Sequence, residues 1–94
     1  MARADLSGIW AWIAERDGEK RADLVVDRLA LRIRQLSDHP KLGPMRPDIA
    51  PNARSLSCYR WLALYDIQAE TVRIIRIVDA ARDLATVWPS SPGR

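Results

Sequence analysis

The spacing of apolar residues changes once along this 94-residue chain, from the period of an α-helix to that of β-strands. One helical face lies in the N-terminal segment and comprises Leu6, Ile9, Trp10 and Ile13. A second follows and comprises Ala22, Val25, Val26, Leu29, Ile33 and Leu36. Gly18 lies between them and can take the left-handed conformation that closes a helix, so we expect an antiparallel helical hairpin. Pro40 marks the end of the second helix.

Strand-type sequence begins at Arg54, after a connector at 41–52 that contains three prolines and one glycine. Residues 56–67 and 72–79 are rich in β-branched, aromatic and aliphatic side chains. A bend near Cys58-Tyr59-Arg60 divides the first stretch, and Gln68-Ala69-Glu70 has the composition of a hairpin turn. The order helix, helix, strand, strand, strand predicts an α+β domain with the hairpin packed on one face of a small antiparallel β-sheet. The other face is expected to be open or covered by something else.

The length supports one hydrophobic core, since domains centre on roughly 100–150 residues. We expect a single domain at 1–88 and a disordered tail at 89–94, where proline, serine and glycine predominate. Cys58 is the only cysteine, which excludes an internal disulfide and favours a reducing compartment. The chain has neither an apolar run of the about 18 residues that span a membrane nor the apolar region of a signal peptide. These features predict a cytoplasmic protein without membrane association.

The net charge of +3 rests almost entirely on arginine, since Lys20 and Lys41 are the only lysines. Guanidinium groups suit planar, bidentate contacts with carboxylates or phosphates. A charge of +3 is small beside that of dedicated nucleic-acid binders. An acidic protein partner is therefore at least as well supported as nucleic acid.

One arginine lies inside the β-branched run of the last predicted strand. Strand alternation places Arg76 on the face opposite to Ile75 and Ile77. If those isoleucines pack beneath the helices, Arg76 points from the uncovered face, where it can form a bidentate pair with a carboxylate of a partner. An internal ion pair with Asp66 or Asp83 is the alternative.

Six short segments, in a fixed order over almost the whole chain, resemble those of a known family. They are Asp5-Leu6 with Ile9 and Ile13, Leu36-x-x-x-Pro40-x-x-Gly43, Arg54-Ser55-Leu56, Trp61-Leu62-Ala63-Leu64-Tyr65, Ile74-Ile75-Arg76-Ile77-Val78 and Ala81-Arg82-Asp83. In this order they resemble the ParE branch of the ParE/RelE toxins, which are the toxin halves of bacterial type II toxin-antitoxin pairs.

The resemblance implies the fold predicted above and a ParD-like antitoxin, whose C-terminal segment wraps the toxin and whose N-terminal part binds operator DNA. It further implies inhibition of DNA gyrase by binding, without a catalytic residue or a cofactor. Free toxin would then arrest growth, the pair would stabilise a plasmid, and DNA would be contacted only through the antitoxin. Members of the family normally begin with a β-strand, whereas only residues 1–4 precede Asp5, so this strand is expected to be missing.

A RelE-like, ribosome-dependent mRNA endoribonuclease is the first alternative. Several arginines could hold the phosphate, namely Arg54, Arg60, Arg73, Arg76 and Arg82. No evident general base or acid accompanies them, because His39 lies in a separate loop and Asp79 stands where the family often has histidine. A non-toxic remnant that still binds an antitoxin is the second alternative.

Candidate binding residues come from both ends of the chain. Trp12 lies off the apolar face of the first helix and, with Arg76, is a candidate for antitoxin binding. In ParE-like toxins the C-terminal region is implicated in gyrase inhibition, so the resemblance points to Leu84, Val87 and Trp88. Packing against the sheet is the alternative for Trp12 and Trp88.

Three charged residues near the end of the last strand, Asp79, Arg82 and Asp83, are expected to have structural rather than catalytic or metal-binding roles. Arg82 and Asp83 match an element of the family and are expected to form an internal ion pair that fixes the turn out of the strand. Asp79 and Asp83 can face each other at helical spacing. Two carboxylates without histidine or further acidic neighbours do not make a metal site, so no metal is expected.

Overall fold

The computed structural model of the protein describes residues 2–81 and 84–88. Its helices are α1 (Ala2–Asp17), α2 (Glu19–Gln35) and the short α3 (Leu84–Val87). Its strands are β1 (Arg54–Cys58), β2 (Trp61–Gln68) and β3 (Thr71–Asp79), which form one antiparallel sheet in the order β1-β2-β3. A helical hairpin followed by a three-stranded meander confirms the predicted α+β class.

Gly18 produces the sharp reversal between α1 and α2. Its φ of 95° lies in a region that L side chains rarely adopt, and its amide donates to the Ala14 carbonyl at 3.0 Å. Its carbonyl accepts from the Ala22 amide at 3.1 Å, which begins the bonding of α2. The one-residue link keeps the helices side by side as the predicted hairpin.

The main core lies between the helical hairpin and one face of the sheet. The helical segment buries Ile9, Ile13, Ala22, Val25, Leu29 and Leu36. The sheet buries Leu56, Trp61, Ala63, Tyr65 and Ile77. The sheet thus covers most of the apolar face predicted for each helix, while Leu6, Trp10 and Val26 are only partly buried.

A β-bulge in β3 changes which isoleucines face the helices. Leu64 pairs with Arg76 and Tyr65 with Ile74, so Ile75 is an extra residue of β3 without a partner on β2. The expectation that Ile75 packs beneath the helices beside Ile77 is therefore wrong, because Ile74 packs against that core instead. One extra residue reverses the alternation of side chains along the rest of the strand.

The second face of the sheet is covered in part by the connector and by α3. A smaller core on this face buries Ile49, Ala53, Leu62, Leu64, Val78 and Val87. Leu84 and Trp88 are half-buried against it. The chain itself thus supplies part of the cover for this face.

Tyr65 holds the connector to the sheet from inside the core. Its hydroxyl donates to the Pro40 carbonyl at 2.7 Å and accepts from the Gly43 amide at 2.9 Å. Arg54 donates to the Gly43 carbonyl at 2.7 Å, and Met45 forms an isolated antiparallel bridge with Arg54. These bonds fix the connector along the outer side of β1.

Candidate partner-binding surface

The described arginines that a nuclease would use to hold phosphate have partners within the protein, although the side chains of Arg60 and Arg73 remain about half exposed. Four of them donate to internal oxygens: Arg54 to the Gly43 carbonyl, Arg60 to Asp79, Arg73 to Asp66 and Arg76 to Asp5. The fifth, Arg82, lies outside the described residues. A guanidinium whose charge is compensated by a neighbouring carboxylate is a poor ligand for phosphate. Within the described part of the chain, carboxylates therefore compensate three of these guanidinium groups, whereas Arg54 binds only a carbonyl.

The groups that could carry acid-base chemistry also have structural roles or lie apart. Asp79 pairs with Arg60 and accepts from the Ala81 amide at 2.9 Å, so it fixes the chain at the end of β3. His39 is exposed in the loop after α2. Burial raises the pKa of the half-buried Cys58 thiol, which disfavours the nucleophilic thiolate.

No metal centre or membrane-spanning helix is found in the described residues. Over 2–81 and 84–88, no three His, Cys, Asp or Glu side chains group in a way that could hold a metal ion. Over the same ranges, every helix is too short or too polar to cross a bilayer. The ion pair predicted between Arg82 and Asp83 lies outside the described residues.

Arg76 forms an internal ion pair, but with a partner that sequence reasoning did not name. Its guanidinium donates to the two carboxylate oxygens of Asp5 in α1, at 2.8 and 3.0 Å, which raises the pKa of Arg76. Asp5 also accepts from the Ile77 amide at 2.9 Å. Asp66, one of the two partners expected for Arg76, instead binds Arg73 at 2.7 and 3.0 Å, and Asp83, the other, lies outside the described residues. The pair ties α1 to β3, and antitoxin binding by Arg76 stays a prediction.

We expect Arg76→Ala to lower the free energy of unfolding by about 2 kcal/mol, because Asp5 would keep a carboxylate that is largely buried without its partner. Asp5→Ala should cost at least as much, since it also leaves the Ile77 amide without its acceptor. Denaturant unfolding of both variants and of the double variant gives their coupling energy.

Asp48→Ala is the matched control, because it breaks the pair of Arg46 with a carboxylate that is 62% exposed. It should change stability little. Strictly additive effects of Arg76→Ala and Asp5→Ala would contradict the pairing.

Trp12 lies on the wall of a pocket of about 230 Å³ where the α1–α2 turn meets the β1–β2 turn. Its indole is 39% exposed and meets the buried Trp61 ring edge to face, with 5.8 Å between centroids and 86° between planes. Tyr59, at the tip of the β1–β2 turn, completes the aromatic wall. Trp12 is thus both packed on the sheet and partly open to a partner, and its antitoxin role stays a prediction.

Guanidinium groups lie over all three rings of this pocket. Their Cζ atoms are 4.7 to 5.7 Å from the ring centroids: Arg16 over Trp12, Arg60 over Trp12 and Trp61, and Arg21 over Tyr59. Each such contact contributes roughly 0.5–1 kcal/mol at an exposed site and restrains a flexible side chain. Sequence reasoning missed Arg16. The spacing of Trp12 and Arg16, four residues apart on a helix, was the available signal.

The helical hairpin also presents apolar surface to solvent. A shallow groove of about 300 Å³ is lined by Leu6, Ser7, Trp10 and Val26, and the indole of Trp10 donates to Asp23 at 2.8 Å. Leu24 and Leu31 are exposed two turns apart on α2. Exposed apolar side chains gathered on one element are typical of surfaces that bind another protein.

The C-terminal candidates pack against the second face of the sheet. Val87 is buried, whereas Leu84 and Trp88 are half-buried and keep an open side. The Trp88 amide donates to the Leu84 carbonyl at 3.3 Å and closes α3. Trp88 therefore packs on the sheet, and a contact of these three residues with gyrase stays a prediction.

Comparisons with known proteins agree with one another. The family described as ParE toxin of type II toxin-antitoxin system, parDE, matches residues 1–84. Toxin ParE3 of Caulobacter vibrioides is 35% identical over 81 residues, which are 86% of this chain and 81% of that protein. A solved structure described as the chromosomal ParDE TA system from P. aeruginosa aligns with a TM-score of 0.74 at 24% identity, over 83% of this chain and 86% of that one. The solved structure supports the fold, and the two sequence matches support the family.

Proposed function

The chain belongs to the ParE toxin family of type II toxin-antitoxin systems, and we propose that it inhibits DNA gyrase by binding and is neutralised by a ParD-like antitoxin. One observation carries the choice of binding over catalysis. The described arginines of the nuclease set, Arg54, Arg60, Arg73 and Arg76, each donate to an internal oxygen. The protein would act in the cytoplasm, where gyrase is found, and would arrest growth when it is free of antitoxin.

A protein partner is supported by the surface of the helices and turns. Trp12, Leu24, Leu31 and Tyr59 are large side chains that remain exposed, and a partner that covered them would gain their hydrophobic burial. The aligned solved structure is described as a ParDE system. We propose the corresponding antitoxin as the partner here, with operator DNA contacted through the antitoxin and a plasmid or chromosomal locus maintained by the pair.

A RelE-like ribonuclease is less well supported by the described residues. Its chemistry needs a proton donor or acceptor near the phosphate, and Asp79, at the position where the family often has histidine, is engaged by Arg60 and the Ala81 amide. A remnant that has lost toxicity is the other alternative. It would bind the antitoxin and act on neither gyrase nor mRNA.

Purified toxin should inhibit supercoiling of relaxed plasmid by gyrase, because the proposed action needs only binding. Adding the antitoxin encoded beside it should restore supercoiling. The same preparation should leave mRNA intact in a ribosome-programmed cleavage assay. Cleavage without gyrase inhibition would establish the ribonuclease instead, and inactivity in both assays with retained antitoxin binding would identify the remnant.

A further inference from the structure

The pocket between the α1–α2 turn and the β1–β2 turn has more cationic than anionic groups. Arg16, Arg21 and Arg60 line it, with Asp17 as the carboxylate among the lining residues. Arg60 is paired with Asp79. Arg16 and Arg21 form no hydrogen bond or ion pair with any described residue, and their contacts are with Trp12 and Tyr59. Two guanidinium groups without an ion-pair partner among the described residues therefore border one small cavity.

Stacking on the rings prepares these two arginines for a particular kind of ligand. A guanidinium that lies over an aromatic face keeps its N–H donors at its edge, where they can bind a carboxylate in bidentate fashion. Because Arg16 and Arg21 are already restrained by Trp12 and Tyr59, less side-chain entropy is lost when a ligand binds. The arrangement favours planar anions over a diffuse negative surface.

The size and lining of the pocket favour a peptide over a nucleotide. Its volume of about 230 Å³ is below the roughly 300–1,000 Å³ of pockets that enclose drug-sized ligands. Every ring in it already has a guanidinium over it, whereas single-stranded nucleic acid binds by stacking bases on open aromatic faces. The buried Ile13 and Val25 add apolar surface to the lining.

We propose that this pocket binds an acidic segment of the antitoxin, with one apolar side chain placed against Ile13 and Val25 and flanking carboxylates placed on Arg16 and Arg21. The identity of the partner rests on the proposed function. The chemistry of the bound segment rests on the pocket alone. Residues with this character, aromatic and arginine side chains around a small cavity, are those that dominate binding energy in protein interfaces.

The pocket can be tested with the toxin alone and a defined probe. The probe is the peptide N-acetyl-Glu-Glu-Leu-Glu-Glu-amide, and binding is followed by tryptophan fluorescence, since Trp12 and Trp61 line the cavity. Arg16→Gln combined with Arg21→Gln should weaken peptide binding about tenfold. Arg3→Gln combined with Arg34→Gln removes the same charge from exposed positions outside the pocket lining and should weaken it less than about twofold.

Two results would overturn the assignment. One is an equal loss in both double variants, which would show that net charge rather than the pocket holds the peptide. The other is tighter binding of a short oligothymidylate than of the peptide, which would assign the cavity to nucleic acid. Because the assay contains neither gyrase nor antitoxin, its outcome is independent of the supercoiling test. If the toxin inhibits gyrase but its peptide binding does not depend on Arg16 and Arg21, the proposed role of the pocket is wrong and the proposed function still stands.

Discussion

Gly43→Ala is expected to lower the free energy of unfolding by about 3 kcal/mol and the melting temperature by roughly 12 °C or more. A Cβ at this position would lie 2.9 Å from the Ser55 carbonyl carbon and from Cε1 of Tyr65, and closer still to the Ser55 oxygen. The Ser55 atoms belong to the backbone of β1, and the Tyr65 side chain is fully buried. Neither can move away from the added methyl group unless the sheet or the core shifts. The connector cannot move away from β1 freely either. The Gly43 amide donates to the Tyr65 hydroxyl, and the Gly43 carbonyl accepts from Arg54.

Gly8→Ala adds the same methyl group to an open site and is the matched control. No heavy atom lies within 4 Å of a Cβ built at Gly8, which is in the interior of α1. Since alanine is a better helix former than glycine, this variant should gain about 1 kcal/mol. Thermal unfolding followed by circular dichroism compares the two. Equal melting of Gly43→Ala and the parent protein would show that the connector is not held against β1 as described.

The fold could be predicted from local signals because its elements are consecutive in sequence and space. The helical period around Ile9 and Ile13 identifies α1, and the reversal at Gly18 places α2 beside it. The turn at 69–70 in the same way places β3 beside β2. The bulge at Ile75 escaped prediction, since a run of β-branched residues has the same pattern with or without one extra member. The helix α3 also escaped, because its four residues carry too little periodicity to place them on a face, although packing of Trp88 against the sheet was one of the two alternatives.

The site was predicted less completely, because its contacts join distant parts of the chain. Asp5 and Arg76 are 71 residues apart, and the sequence offered nearer carboxylates for the same guanidinium. Trp12 was identified by its position off the apolar face of α1, a local property. The arginines around it became visible as a group only when the fold brought Arg60 beside Trp12 and Arg21 beside Tyr59.

A chain truncated after Asp83 is expected to lose gyrase inhibition and growth arrest, because the proposed gyrase contacts at Leu84, Val87 and Trp88 are removed. The same truncation uncovers the second face of the sheet, where Leu62, Leu64 and Val78 pack with α3. Lost burial destabilises the fold, so loss of toxicity alone does not distinguish a missing contact from an unfolded toxin. A single substitution with a matched control separates the two causes.

Trp88→Ala should weaken inhibition of supercoiling about tenfold, since aromatic anchors with an open side carry much of the energy in interfaces. Ile49→Ala removes buried apolar surface from the same core and should cost about 2 kcal/mol of stability. Because Ile49 lies in the connector, outside the proposed gyrase contact, this variant should still inhibit gyrase at a temperature where it is folded. If inhibition instead falls in step with stability in both variants, α3 acts only by covering the sheet. A truncated chain that folds and still arrests growth would exclude the C-terminal contact altogether.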